Sequence, residues 1–185
     1  MTGLAAAREA LRARQGKGAR YDAPEAPAAD LAQLRLGTAC FARKLNELTD
    51  AELSLPSAVA GRSRAHVVAA LSLHARGICW QIEGSLPDAA GARDPGARRY
   101  LADVATAATL PPRALRHLFD HTAIHLNVVL RDLTGEGWSA PAHRVDGNPC
   151  TVRDLARERA RLIWQGALHL GNGLQARDLP EAFRP

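Results

Sequence analysis

Aromatic residues are scarce: three Trp, two Tyr and three Phe make up 4% of the 185 residues. A chain of this length suits one domain with a real core, and that core must be assembled mainly from Ala, Leu and Val. Lysine is nearly missing, with only Lys17 and Lys44, so the formal net charge of +5 is carried by arginine. The arginines are interleaved with acids and form no basic stripe with aromatics, which argues against nucleic acid as a partner. The three cysteines, Cys40, Cys79 and Cys150, are odd in number, widely spaced and without a CxxC pair. That pattern argues against a disulfide framework or a structural zinc site; it reads as reduced thiols in a cytoplasmic protein. No apolar run has membrane-spanning length, and no signal-peptide core is present. Phosphate loops, dinucleotide fingerprints and Ser-His-Asp signatures are also missing.

What the sequence does contain is helical periodicity punctuated by Gly and Pro. Residues 1–29, rich in Ala, Arg and Pro, read as a poorly structured arm with at most a short helix over 5–14. A helix is expected over 30–48 with Asp30 as its cap and Leu31, Leu34, Thr38, Phe41, Leu45 and Leu48 as its inward stripe. A second, capped by Ser63, runs over 63–83 with Val67, Leu71, His74, Ile78 and Ile82 inward. After a Pro- and Gly-containing loop over 84–96 comes a short helix over 97–108. A helix over 111–133 opens on Pro111-Pro112 and carries Leu115, Leu118, Thr122, Leu126, Val129 and Leu133 on its core face. An extended linker over 134–147 contains Trp138, with strand-like pieces near 143–145 and 148–151. The last helix begins at Thr151 and stops at Gly171-Asn172-Gly173. Short loops make bundle neighbours antiparallel, whereas the long connection at 84–111 lets the flanking helices run parallel.

Three segments carry a family pattern. Leu48-Thr49-Asp50-Ala51-Glu52-Leu53, Gly61-Arg62-Ser63-Arg64-Ala65-His66-Val67-Val68-Ala69-Ala70-Leu71 and Arg159-Ala160-Arg161-Leu162-Ile163-Trp164-Gln165-Gly166 together resemble the metal-binding N-terminal domain of the mycothiol-dependent maleylpyruvate isomerases. That domain belongs to the DinB-like superfamily. The family reads Gly-Trp-Ser-Arg-Gly-His-Val-Leu-Ala-His-Leu in the second segment and Arg-Ala-Arg-Glu-Val-Trp-x-His in the third. The resemblance covers residues 30–183 and implies an all-α, up-down-down-up four-helix bundle, here expected over 30–185. It also implies a divalent metal held by the second His of one motif and by the Glu and His of the other. Those positions are Ala70, Leu162 and Gly166 in this chain, and none has a ligating side chain.

Chemistry must then come from other residues. His74 lies one turn beyond position 70, and Glu158 one turn before position 162. In the implied topology these two face each other one layer from the family's metal position. His121 and His125, one turn apart, are candidates to complete a cluster. With zinc or nickel this would be a relocated metal site; without metal, an acid/base pair in which Glu158 raises the His74 pKa. Against it, His117, His121 and His125 also read as a solvated flank, and Arg157, Glu158, Arg159 and Arg161 as an ordinary charged helix surface. The catalytic candidates are His74, Glu158, His125 and Arg161. The ligand-binding candidates are His66, His121, Trp80 and Trp164. His66 and Arg64 match family positions; His66 has a structural reading near its helix start, and Arg64 requires an anionic partner. His169 fits the helix dipole as a cation.

The expected function is a divergent small-molecule enzyme of isomerase, cyclase or transferase type in specialised metabolism, using the bundle pocket without the family's metal. The alternatives are an inactive module that binds a ligand or protein, and a thiol-dependent metalloenzyme with relocated ligands. No cofactor is expected beyond zinc or nickel at relocated ligands or a low-molecular-weight thiol. A small molecule is the expected partner; a homodimer is compatible with the sequence, and a membrane is not.

Overall fold

The computed structural model describes residues 3, 6, 7, 21–84 and 96–184. Its order is α1 (Ala28–Glu47), α2 (Arg64–Gly84), α3 (Gly96–Ala107), α4 (Pro112–Asp132), the strands β1 (Pro141–His143) and β2 (Pro149–Thr151), and α5 (Val152–His169). Short 3-10 turns link several of these elements. Helices α1, α2, α4 and α5 form the expected up-down-down-up bundle, with α5 packed between α1 and α2, and α2 between α5 and α4. The crossover containing α3 lets α2 and α4 run parallel, and α3 packs on α2. The loop expected over 84–96 lies mostly outside the described residues, as does the greater part of the arm. At the start of the described segment 21–84, Asp22 grips Arg35 through two bonds of 2.7 and 2.6 Å.

Local chemistry explains the helix ends. α5 opens with a capping box: Thr151 accepts from the Asp154 N–H, and Asp154 accepts from the Thr151 N–H. Ser63 accepts from the His66 N–H at 3.4 Å at the start of α2. α4 has proline in its first turn, where a missing N–H does no harm. Gly171, at φ 66°, ends α5 in the left-handed region. Asp30 is not a cap: α1 starts after Pro27, and Asp30 lies inside the first turn, where its charge suits the helix dipole.

The inward stripe of α2 is buried as expected. That of α4 is rotated: Phe119 and Leu130 are buried, whereas Leu118, Val129 and Leu133 are half-buried. Phe119 meets Phe41 of α1 on this face, with 4.7 Å between ring centroids. α1 and α5 approach closely at Gly37, where a Cβ would meet the Ile163 side chain at 2.7 Å. The linker after α4 is more ordered than its composition implies. Trp138 is fully buried in a 3-10 turn, and the strands pair antiparallel as Pro141 with Thr151, Ala142 with Cys150 and His143 with Pro149. β1 thus lies two residues earlier than the expected piece at 143–145. Among the described residues, no helix is long and apolar enough to cross a membrane.

Candidate functional site

Ala70 on α2 and Leu162 and Gly166 on α5 line one cavity of about 320 Å³. Three positions far apart in sequence therefore converge, because α2 and α5 pack side by side with their 66–74 and 162–169 segments at the same level. The walls are otherwise mostly aliphatic. The polar side chains lining it are Arg62, His66, His74, Gln165 and His169, with no carboxylate among them. Arg62 is exposed and stands at the mouth.

The family's metal does not fit these residues. Ala70, Leu162 and Gly166 offer no side-chain nitrogen, oxygen or sulfur. Among the described residues, no group of three His, Cys, Asp or Glu side chains is arranged to hold a metal ion. Gly166 has a packing role instead: a Cβ there would run into the Leu71 side chain.

His74 is 6% exposed and is one of few buried polar side chains. Its Nε2 lies 3.9 Å from Glu158 Oε1, an ion-pair distance longer than a hydrogen bond. Its Nδ1 is buried and has no hydrogen-bond partner among the described residues. Glu158 Oε2 in turn meets Arg144 Nε at 3.0 Å. Burial pushes the His74 pKa down, and nearby Arg159 adds to this; Glu158 opposes the shift without reversing it. The expectation of a raised pKa is therefore corrected: desolvation of the imidazolium outweighs one half-buried carboxylate at 3.9 Å. Contact with His74 holds the Glu158 carboxyl below its ordinary range. His169 is also shifted down by burial, so the reading of it as a helix-end cation is corrected too.

The linkage has a defined sign. A histidine whose folded pKa lies below its unfolded value of about 6.5 makes the unfolded chain bind protons first. Stability is full above that value and falls as pH drops from about 6.5 toward the folded pKa. Glu158, whose folded pKa is lowered, loses its contribution in a separate, more acidic window. Thermal unfolding is expected to shift to lower temperature on acidification through about pH 6.5, less so in His74→Ala. A wild-type transition temperature that is flat through that range contradicts the buried neutral imidazole.

Other candidates lie elsewhere. His125 Nε2 bonds Glu83 Oε1 at 2.6 Å on the partly exposed side of α2 and α4, so His125 does not join His74. His121 and Trp80 line a separate groove between α2, α3 and α4, where Trp80 is 41% exposed. Trp164 is buried, donates to the Gln33 carbonyl at 3.1 Å and stacks on Phe183. Arg161 is exposed and is not at the cavity rim. The inward arginine of α5 is Arg159, 1% exposed, whose Nη1 donates to the Leu71 carbonyl at 2.7 Å. Its spacing of four from both Leu155 and Ile163, two core residues, is the signal that separates it from Arg161. Arg64 is structural, donating to the Leu170 and Gly171 carbonyls that end α5, with Glu52 3.8 Å away. His66 lines the cavity, and its Nδ1 bonds Ser63 Oγ at 2.9 Å. Cys79 is inert, since burial raises its pKa to about 12. Sequence reasoning missed the cavity positions of Arg62, Gln165 and His169; it also missed Arg144, whose placement depends on the hairpin.

Comparison with known proteins bears on the family and the fold. A family model described as the mycothiol maleylpyruvate isomerase N-terminal domain matches residues 34–164. The crystal structure of a mycothiol-dependent maleylpyruvate isomerase aligns with a TM-score of 0.77 at 25% identity, covering 84% of this chain and 65% of that one. The crystal structure of a His-to-Ala variant of a mycothiol-dependent maleylpyruvate isomerase aligns with a TM-score of 0.77 at 26% identity and the same coverage. The chain thus spans about two-thirds of the length of those enzymes. No curated protein matches it significantly.

Proposed function

The chain belongs to the mycothiol maleylpyruvate isomerase N-terminal domain family, and from that premise we propose that it is a small-molecule enzyme of isomerase type that works in the bundle cavity with its own side chains in place of the family's metal. One observation carries this reading: the three positions that the resemblance assigns to metal line a single cavity here, and the wall of that cavity includes a buried histidine with a nitrogen that has no partner among the described residues. Apolar walls with a few polar groups suit a neutral or singly negative organic ligand. A cavity of about 320 Å³ favours such a ligand over a bulky, polar thiol such as the mycothiol in the relatives' name. In this reading His74 binds the ligand and Arg62 guards the entrance. The bundle, proposed to span 30–185, acts as one unit.

Two measurements on untagged protein test the proposal. Elemental analysis is expected to find far less than one equivalent of zinc or nickel. A thermal-shift panel of neutral and monoanionic organic compounds is expected to yield ligands that stabilise the wild type. Their affinity should fall about tenfold in His74→Ala, the worth of one buried hydrogen bond. It should also fall in Ala70→Leu, which fills the cavity. Stoichiometric metal that disappears on changing His74 or Glu158 would favour relocated ligands. Binding without turnover of any ligand would favour an inactive binding module.

A further inference from the structure

The hairpin connects both helices that build the cavity. On α2, Gln81 clamps β1, donating to the His143 carbonyl at 2.9 Å and accepting from the His143 N–H at 2.8 Å. Gln81 lies seven residues beyond His74, two helical turns along the same face. At the other end β2 runs directly into the Thr151 capping box of α5. The hairpin turn is closed by Arg144 N–H to the Asn148 carbonyl and Gly147 N–H to the Arg144 carbonyl, both at 2.9 Å. Arg144 is thereby presented to Glu158, and Glu158 to His74, at the distances given above.

We propose that Arg144, Glu158 and His74 form a relay that ends in the buried, unpartnered Nδ1 of His74, a residue of the cavity wall, and that a small turn of the imidazole brings this nitrogen to a neutral organic carbonyl compound for proton transfer. The proposal rests on the ligand-cavity reading and specifies its chemistry. A carboxylate facing Nε2 favours the proton on that nitrogen, which leaves the Nδ1 lone pair free, and no group among the described residues takes it up. In the reaction Nδ1 takes a proton from the carbon next to the carbonyl. The C–H electron pair moves into a new C=C bond, and the carbonyl oxygen becomes an enolate. The imidazolium so formed is met by Glu158. In a β,γ-unsaturated carbonyl compound the electrons of the dienolate extend to the γ-carbon; returning the proton there re-forms the C=O bond and moves the C=C bond into conjugation, which yields an isomer and consumes nothing. Arg62 and Gln165, which line the same cavity, carry N–H donors of the kind an enolate oxygen needs.

His74 is the catalytic residue in this scheme; Glu158 and Arg144 are positioning residues. The charged groups around the imidazole are Glu158 and Arg159 of α5 and Arg144 of the hairpin, with His66, His169 and Arg62 along the cavity. Their balance keeps His74 neutral at neutral pH, the form a base requires.

Long-range proton–nitrogen correlation spectra of the nitrogen-labelled full chain test the relay without any ligand. At neutral pH, His74 is expected to show a protonated Nε2 and an unprotonated Nδ1. Glu158→Gln should mix the two tautomers and lower the His74 pKa further, and Arg144→Gln should do the same to a smaller extent. An Nδ1-protonated His74, or a tautomer indifferent to Glu158→Gln, overturns the relay. The chemistry is tested with cyclohexanone in deuterated water. The wild type is expected to speed exchange at the carbons next to the carbonyl beyond free imidazole, with a loss of about a hundredfold in His74→Ala. Glu158→Gln should lose at least about tenfold, with a shifted pH profile. Equal exchange in wild type and His74→Ala overturns the base assignment. A cavity that binds no organic compound defeats the ligand reading, whereas the tautomer result stands or falls by itself.

Discussion

Introducing Ala70→His, Leu162→Glu and Gly166→His together, with Leu71→Ala, is expected to create a chain that binds one zinc or nickel ion per molecule. The three positions line one cavity from two adjacent helices, so two imidazoles and a carboxylate placed there converge. The fourth change follows from packing. A side chain at 166 runs into Leu71, and without relief the new histidine would be forced off its rotamer or would push α2 and α5 apart. The glycine is thus not a neutral replacement that any residue improves, although its helix propensity alone implies so. Metal at one hundred times its dissociation constant should stabilise the variant by about 2.7 kcal/mol, and a chelator should remove that gain. Elemental analysis and thermal unfolding with and without chelator measure both effects. A variant that folds and stays free of metal would mean that the three side chains do not share the cavity.

Trp138→Ala is expected to cost about 3–5 kcal/mol, a large share of the total stability of a domain this size. Trp138 is fully buried in a cluster with Ala142, Val152 and Leu155, where the hairpin meets the start of α5. A close-packed interior relaxes only partly around a deleted indole, so most of the space stays unfilled. Trp138→Phe should retain more than half of the lost stability. Denaturant unfolding followed by circular dichroism measures the cost, and a value below about 1 kcal/mol would contradict the burial. Because Arg144 sits on the same hairpin, the His74 tautomer is the natural second readout in the Phe variant.

Much of the bundle was legible because helix stripes are local. Val67, Leu71, His74, Ile78 and Ile82 recur at three and four residues, and all are buried. The capping residues Ser63 and Thr151 act within three residues of themselves, so they too could be read. The facing of His74 and Glu158 was also legible, because it follows from helix spacing once the topology is known. Trp138 was not, since its burial depends on a turn that the surrounding Gly, Ser and Pro conceal.

By itself the sequence determined the helices and their order, since these follow from periodicity and capping; that Ala70, Leu162 and Gly166 stand at ligand positions is what the family resemblance implies. Tertiary structure alone decided which arginine of α5 turns inward, why Gly166 has no side chain, where His125 finds its carboxylate and whether burial or Glu158 governs the His74 proton. Each of those depends on distances between residues far apart in the chain. Desolvation and steric overlap change over a few ångströms, and a one-dimensional pattern carries no such distance.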